Sequence, residues 1–264
     1  MNIITSKDNE IIKLVRKLRE KKYRDIENSY IIEGIKMLKE AIEENAFIKQ
    51  IIICDDCEKS DNIPKELMYE IAKYECLYVT NKIFKYISEV QTPQGVLAII
   101  EKNNKNNDIN YDEDIILALD DIQDPGNLGT ILRTADSVGL AQILVSKGTA
   151  DPYNPKVVRS SMGAIYRVKV IECDNLLETL KEAKKNKFKI LATSLENSTS
   201  VYDIKYNKKV IVIGNEANGV EEKILDFADE KIKIPMLGRT ESLNAAVATG
   251  VILYEYVRQK IKSK

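Results

Sequence analysis

Histidine is absent from this chain of 264 residues, which removes the side chain that most often serves as a general base near neutral pH and as a metal ligand. Four cysteines include one C-x-x-C pair, Cys54 and Cys57, but neither a second pair nor a histidine completes a zinc site. The acidic neighbours Asp55 and Asp56 disfavour a reactive thiolate. We therefore expect no metal site and cysteines that are simply reduced.

Several nucleotide-binding and targeting patterns are also missing. The eleven glycines never occur as G-x-G, so the dinucleotide fingerprint is absent, and no P-loop or G-x-S-x-G pattern is present. Hydride transfer and nucleotide hydrolysis by the usual architectures are therefore disfavoured. The apolar runs are too short to span a membrane, and the N-terminus has no signal-peptide core. We expect a cytoplasmic protein without a membrane partner.

Charge is balanced overall but uneven along the chain. The net charge is −1, while residues 1–26 hold eight lysines and arginines against four acidic residues. Local basic patches bind phosphates even in a neutral protein. A solvated helix face is the commoner explanation of a basic run, so both interpretations stay open.

Apolar strands alternate with amphipathic helices in both halves of the chain. In the first half we predict strands at 30–32, 47–53, 77–79 and 95–100, and helices starting near Thr5 or Ser6 and at 35–44, 64–74 and 81–87. In the second half we predict strands at 115–119, 142–145, 168–171, 189–192, 210–213 and 231–234, and helices at 128–138, 176–185, 221–227 and 242–260. Such a pattern is typical of a mainly parallel sheet covered on both faces. The polar segment 101–114 offers nothing to bury, which predicts domains at 1–102 and 114–264 joined by a linker at 103–113.

Three loops of the second half, 120–133, 214–219 and 234–242, each lie between a predicted strand and a predicted helix. Ligands bind at the carboxyl ends of parallel strands, so we expect a site where these loops meet. Asn127 and Ser242 are predicted to cap their helices. Gly214 and Gly219 allow the backbone to approach a ligand and place between them Glu216, a carboxylate that we expect to be partly desolvated. Taken singly, caps, turns and salt bridges are the commoner roles of such residues.

Four segments of the second half carry a family resemblance. They are DPGNLGTILRTA at Asp124–Ala135, RSSMGA at Arg159–Ala164, IGNEANGV at Ile213–Val220 and IPMLGRTESLNAAVATGVILYE at Ile234–Glu255. In this order they resemble the SpoU (TrmH) branch of the SPOUT superfamily of RNA ribose 2′-O-methyltransferases. More weakly, Tyr30–Leu38 and Gln94–Ile100 resemble an L30e-like substrate-binding domain.

The resemblance implies an α/β fold with a C-terminal SPOUT α/β knot, a trefoil-knotted and mainly parallel sheet, beside a smaller N-terminal L30e-like α/β domain. Pattern reading alone predicts an unknotted sheet, since knots are essentially absent from proteins. The family implies S-adenosylmethionine as cofactor, RNA as substrate and a homodimer, formed through the C-terminal domain, with composite active sites. Ribosomal RNA, most of all 23S, is favoured over transfer RNA by analogy.

The resemblance also implies roles for particular residues. The implied cofactor-binding residues are Thr193, Ser194, Leu195, Gly214, Asn215, Glu216, Gly219, Ile234, Met236, Ser242, Leu243 and Asn244. The implied catalytic residues are Arg133, Asn127, Glu216, Ser242 and Asn244. The basic N-terminal helix and its domain are expected to hold RNA.

Methyl transfer from a sulfonium to a ribose hydroxyl needs positioning and a destination for the hydroxyl proton. Arginine is a doubtful base because its guanidinium stays protonated in proteins, so we expect Arg133 to stabilise the developing alkoxide instead. In this hypothesis Asn127 and Glu216 orient Arg133 and the substrate, while Ser242 and Asn244 hold the loop. A tRNA methyltransferase, a ribosome-associated RNA-binding protein without catalysis and a small-molecule α/β enzyme are the alternatives.

Overall fold

A computed structural model of the chain describes residues 3–55, 63–102 and 108–262. These residues form two compact units. Unit 1 contains the described residues up to 102 together with Tyr153–Tyr166, and unit 2 contains 108–152 and 167–262. Among the described residues no helix is long and apolar enough to cross a membrane.

The secondary structure follows the predicted alternation closely. The strands are β1 Ile3–Ile4, β2 Ser29–Glu33, β3 Ile48–Cys54, β4 Cys76–Val79, β5 Val96–Glu101, β6 Ile115–Leu119, β7 Gln142–Ser146, β8 Lys169–Cys173, β9 Lys189–Thr193, β10 Thr199–Ser200, β11 Lys209–Ile213 and β12 Glu230–Lys233. The helices are α1 Glu10–Lys17, α2 Lys21–Ile26, α3 Ile35–Glu43, α4 Lys65–Ile71, α5 Asn81–Ile87, α6 Pro125–Ser137, α7 Pro155–Ser161, α8 Ala164–Arg167, α9 Leu176–Lys185, α10 Glu222–Phe227 and α11 Ala245–Lys262. The sequence pattern missed β1, α2, α7, α8 and β10, which are all short.

Unit 1 is built on a mixed five-stranded sheet in the order β1-β4-β3-β5-β2. Side chains of β3 alternate between two cores, with Ile51 and Ile53 on one face and Ile52 and Cys54 on the other. Cys54 is a buried, free thiol, while Cys57 and Asp56 lie outside the described residues.

Helix α1 begins later than predicted, and a buried arginine of α2 caps its carboxyl end. Its N-cap is Asn9, whose side chain accepts hydrogen bonds from two backbone N–H groups of the first turn, so neither Thr5 nor Ser6 caps it. At the other end, Nη1 of Arg24 donates to the carbonyls of Leu18 (2.9 Å) and Arg19 (2.7 Å). Arg24 is only 2% exposed. It therefore satisfies carbonyls that the end of a helix leaves without partners.

Replacing Arg24 by alanine is expected to lower the free energy of unfolding by about 2–4 kcal/mol, because buried carbonyls lose a charged donor and a cavity remains. Urea unfolding monitored by circular dichroism measures this change. Lys21→Ala, at an exposed position of the same helix, is the control and should be nearly neutral. An Arg24→Ala variant as stable as the wild type would contradict the capping role.

The segment Tyr153–Tyr166 packs within unit 1, although its place in the sequence lies inside the predicted second domain. Val158 is buried in a unit 1 core, and the rings of Tyr153 and Tyr30 lie 4.8 Å apart. Burial raises the pKa of the Tyr30 hydroxyl well above its ordinary value. The RSSMGA segment therefore belongs to the packing of unit 1. The predicted domain bounds 1–102, 103–113 and 114–264 stay a prediction.

Unit 2 contains a seven-stranded sheet in the order β10-β12-β9-β11-β6-β7-β8, with every pair parallel. The expectation that segment 101–114 buries nothing is wrong for its described end, because Ile109 and Tyr111 pack against the core of this unit. Because β6, β11, β9 and β12 are neighbours and parallel, their carboxyl ends meet at one edge of the sheet. The loops that follow these strands therefore converge.

Candidate active site

A cavity of about 470 Å³ lies in unit 2, lined by the segments that follow β9, β11 and β12. Its size is within the range of small-molecule sites, about 300–1,000 Å³. Eleven residues that the family resemblance assigns to cofactor binding line it: Thr193, Ser194, Leu195, Gly214, Asn215, Glu216, Gly219, Ile234, Met236, Ser242 and Leu243. Asn244 does not line the cavity. Polar residues that sequence reasoning missed also line it, namely Asn218, Lys233 and Glu241.

The loop after β11 folds back on itself. The backbone N–H of Asn215 donates to the carbonyl of Gly219 (3.0 Å), and the N–H of Gly219 donates to the carbonyl of Asn215 (2.9 Å). Gly214 sits against this closure so closely that an added Cβ would overlap the backbone of Gly219 and Val220. Only glycine therefore fits at position 214.

The Asn215 side chain is used within the protein. Its Oδ1 accepts from the N–H of Ala217 (2.8 Å), and its Nδ2 donates to the carbonyl of Asp121 (2.8 Å), which adopts the left-handed φ of +58°. Asn215 thus joins the loop after β11 to the loop after β6, so its side chain serves to shape the cavity wall.

A buried carboxylate also joins the segments that follow β6 and β11. Asp120, at the end of β6, is 7% exposed and its Oδ2 accepts from the N–H of Glu221 (2.8 Å). Burial raises the pKa of the Asp120 carboxyl, while the hydrogen bond from Glu221 opposes that rise.

Asp120→Asn is expected to gain stability relative to the wild type as the pH rises. The raised pKa means that Asp120 binds a proton more readily in the folded state than in the unfolded state. Its contribution to the free energy of unfolding is therefore greatest at low pH and is lost as the pH rises through the folded pKa. Asparagine keeps an acceptor for Glu221 but cannot ionise. Urea unfolding at about pH 4 and pH 7 measures the difference, which should favour the variant more at pH 7.

Asp120→Ala, which removes the acceptor as well as the charge, serves as the control and should destabilise the protein at both pH values. The opposite result, in which the stability of the wild type rises relative to that of Asp120→Asn between about pH 4 and pH 7, would show that the buried carboxylate is favoured in its charged form.

Helix α6 begins two residues earlier than its predicted N-cap. Asp124 is the N-cap, and its Oδ1 accepts from the backbone N–H of Asn127 (2.9 Å), with Pro125 in the first turn. The prediction that Asn127 caps the helix is therefore wrong, because Asp124 takes that role. The Asn127 side chain is free to reach other loops: Nδ2 donates to Oε1 of Glu216, and Oδ1 accepts from Nδ2 of Asn244 (2.9 Å).

Asn244, rather than Ser242, caps the last helix. Oδ1 of Asn244 accepts from the N–H groups of Ala246 (3.0 Å) and Val247 (3.3 Å), and α11 begins at Ala245. The predicted start at Ser242 is wrong because the capping geometry is met two residues later, at Asn244. Ser242 is exposed, lines the cavity and makes no hydrogen bond within the described part of the chain.

One chain of hydrogen bonds thus joins the first two predicted loops to the N-cap of α11. It runs from Asn244 through Asn127 to Glu216, which lines the cavity. Glu216 is exposed, so the expectation that its carboxylate is partly desolvated is wrong. Its position is instead fixed by the amide of Asn127, which holds an acceptor at the cavity rim.

Arg133 lies apart from this chain. It is exposed on α6, does not line the cavity, and has no hydrogen bond or ion pair with another described residue. Six residues beyond Asn127, it lies about 9 Å further along the helix axis and on a different face. The structure therefore does not show Asn127 and Glu216 orienting Arg133 within one chain.

The arrangement suits binding of a small organic ligand and placement of polar groups beside it. Backbone groups of tight loops surround the cavity, and a fixed carboxylate marks its rim. Within residues 3–55, 63–102 and 108–262, no three His, Cys, Asp or Glu side chains lie together as metal ligands do.

Two protein families and several known proteins match this chain. The profile of the SpoU rRNA Methylase family matches residues 114–254, and that of the MRM3-like substrate binding domain matches residues 9–98. The chain is 32% identical over 255 residues to the 23S rRNA (guanosine(2553)-2′-O)-methyltransferase RlmP of Bacillus subtilis (strain 168), covering 96% of this chain and 98% of that protein.

Solved structures show the same likeness. An AdoMet-bound rRNA methyltransferase from Sinorhizobium meliloti superimposes with a TM-score of 0.86 at 31% identity, covering 98% of both chains. An RNA 2′-O ribose methyltransferase superimposes with a TM-score of 0.83 at 28% identity, covering 98% of this chain and 100% of the other. The predicted fold class, enzyme class and cofactor are confirmed. The chain belongs to the SpoU family of RNA 2′-O-ribose methyltransferases.

Proposed function

We propose that this protein methylates a ribose 2′-hydroxyl of 23S ribosomal RNA. The observation that carries the proposal is the cavity whose rim residue Glu216 is tied through Asn127 to Asn244. The target of RlmP from Bacillus subtilis, to which the chain is similar over nearly its whole length, supports ribosomal over transfer RNA.

The residues present fit S-adenosylmethionine. A molecule of this kind needs a cavity of several hundred Å³ and close backbone donors and acceptors, and Gly214 keeps the wall free of a side chain at its tightest point. Gly214, Ile234 and Leu243 would hold it mainly through backbone groups, with Thr193 and Met236 beside it. When bound, the cofactor supplies an electrophilic methyl group.

The chain's own residues then position the ribose. Glu216 is an acceptor at the rim whose position Asn127 and Asn244 fix, so a bound hydroxyl meets a group that needs no rearrangement. Ser242, exposed and without a partner in the described chain, is available to the substrate. Arg133 stabilises the negative charge that develops on the ribose oxygen and holds a nearby phosphate.

In this proposal the protein is a homodimer, and the second copy supplies Arg133 to the cavity. On α11 Val247 and Tyr254 are 53% and 54% exposed and lie seven residues apart, on one face of the helix. Tyr254 is joined to α6 by a 3.3 Å contact of its hydroxyl with Ser137 Oγ. A second copy packed on this α6–α11 surface buries these apolar groups and brings its Arg133 to the cavity from outside.

The test is transfer of labelled methyl groups to total RNA from a strain that lacks the gene, followed by mapping of the modified position. We expect label in 23S rRNA at one ribose. Label confined to transfer RNA would overturn the substrate, and no transfer at all, with cofactor binding intact, would favour an RNA-binding protein without catalysis.

A further inference from the structure

Four cations near the start of unit 1, two of them on helix α1, are held by aromatic rings instead of by carboxylates. Nζ of Lys7 lies 4.2 Å and Cζ of Arg16 lies 4.8 Å from the ring centroid of Tyr86, on α5. Nζ of Lys17 and of Lys22 lie 5.6 and 5.8 Å from the ring centroid of Tyr23. We call these the Tyr86 pair and the Tyr23 pair.

A ring and a carboxylate differ in how much of a cation's positive charge they leave available to attract a ligand. A carboxylate cancels the formal charge of its partner, whereas the face of an aromatic ring attracts a cation and leaves its charge intact. In the described part of the chain none of these four cations has an ion pair. Each tyrosine therefore holds two uncancelled positive charges near a fixed point.

Three carboxylates of this region pair with other cations. Asp8 pairs with Lys13 at 3.1 Å and Glu89 pairs with Arg19 at 3.1 Å. Asp25 pairs with Lys102 at 2.5 Å. The four ring-held cations are exposed to solvent, so this surface presents four positive charges that no carboxylate of the described residues pairs with.

We infer that the Tyr86 pair and the Tyr23 pair bind backbone phosphates of the RNA substrate, and that this surface is where unit 1 holds RNA. One cation of each pair, Arg16 and Lys17, lies in the last turn of α1. Such contacts carry no base specificity; they supply affinity that falls steeply with salt. The inference rests on the proposed function, because it takes RNA as the substrate.

The test is binding of end-labelled 23S rRNA, purified from a strain that lacks the gene, at salt concentrations between about 50 and 200 mM. Lys7→Gln/Arg16→Gln and Lys17→Gln/Lys22→Gln each remove two positive charges. Each is expected to reduce the slope of log K against log salt by about 1.4–1.8 and to weaken binding at least about tenfold near 0.1 M salt. Titration with S-adenosylmethionine should give the wild-type affinity.

The control removes the same charge from the same unit. Lys39→Gln/Lys73→Gln takes two exposed lysines that are paired with Glu43 and Glu70, and should leave the slope nearly unchanged. A slope that falls as much in the control as in the test variants would show a general charge effect and overturn the inference.

Tyr86 is a positioning residue, and its conservative variant tests that role. Tyr86→Phe keeps the ring face and should bind RNA as the wild type does, whereas Tyr86→Leu should weaken binding a few-fold with the slope retained, because the charges remain. Thermal unfolding of each variant identifies loss of fold. Equal binding by both Tyr86 variants would overturn the role of the ring.

Failure of the inference is distinguishable from failure of the proposed function. If the wild type methylates RNA and both charge variants bind it with unchanged affinity and slope, this surface does not hold RNA and the enzymatic proposal stands. If the wild type transfers no methyl group but the variants lose RNA affinity as expected, the surface is supported and the reaction is not.

Discussion

Gly214→Ala is expected to abolish binding of S-adenosylmethionine, lowering affinity at least about a hundredfold. A Cβ at this position would overlap the backbone of Gly219 and Val220, and backbone cannot swing aside as the end of a side chain can. The loop must open, and the reciprocal hydrogen bonds between Asn215 and Gly219 go with it. Isothermal titration with the cofactor measures the loss.

Two other glycines provide matched controls. Gly238→Ala adds the same methyl group in the loop after β12, where nothing lies within 4 Å, and should bind cofactor normally. Gly219→Ala also meets no atom but sits at φ +70°, so it should cost about 1–2 kcal/mol of stability through backbone strain. Cofactor binding by Gly214→Ala at the wild-type level would mean that the closure of this loop is not part of the site.

Periodicity predicted the order and type of the longer elements of both units because strand and helix patterns are local. The buried strands β6, β9 and β11, for example, are short apolar runs bounded by polar residues, and each was predicted within one residue. Local pattern does not decide which of several competent residues caps a helix. Asp124 and Asn127 are both good caps, and the one that precedes proline takes the role.

Tertiary packing decided what the pattern could not. The segment Tyr153–Tyr166 belongs to unit 1 because Val158 and two tyrosines pack in an apolar core of that unit. The spacing of these residues in the sequence does not indicate which core they pack in. This changes the design of experiments, since deleting residues 1–102 would leave these apolar groups uncovered. Point variants therefore separate RNA binding from cofactor binding better than a truncation does.

The link from Asn244 through Asn127 to Glu216 also lay beyond sequence reasoning. The three residues are 28 to 117 positions apart, and amide side chains in loops form such links only when the strand order brings the loops together. The family resemblance named the residues, but not the bonds between them. The structure shows that Asn127 uses both its donor and its acceptor inside the protein, which favours a positioning role.

Arg133→Ala is expected to retain cofactor binding and lose most methyl transfer, about 10³-fold in kcat, because removing one preorganised charge from the reacting oxygen costs about 3–4 kcal/mol. The Arg133 side chain is exposed, makes no hydrogen bond or ion pair with another described residue and does not line the cavity, so its loss should leave stability and cofactor affinity nearly unchanged. Single-turnover transfer to RNA measures the effect. Thr130→Ala is the control, since that exposed hydroxyl bonds only the carbonyl of Gly126 in its own helix.

Mixing two inactive variants decides whether Arg133 acts within its own chain or across a dimer. Arg133→Ala keeps a sound cavity, and Gly214→Ala keeps the arginine. If the arginine comes from the partner, half of randomly mixed dimers contain one working site, so about a quarter of wild-type activity returns. If it acts within its own chain, neither subunit holds both parts and mixing restores nothing. Recovered activity would thus show that a second copy supplies Arg133, as the proposed packing on the exposed α6–α11 surface requires.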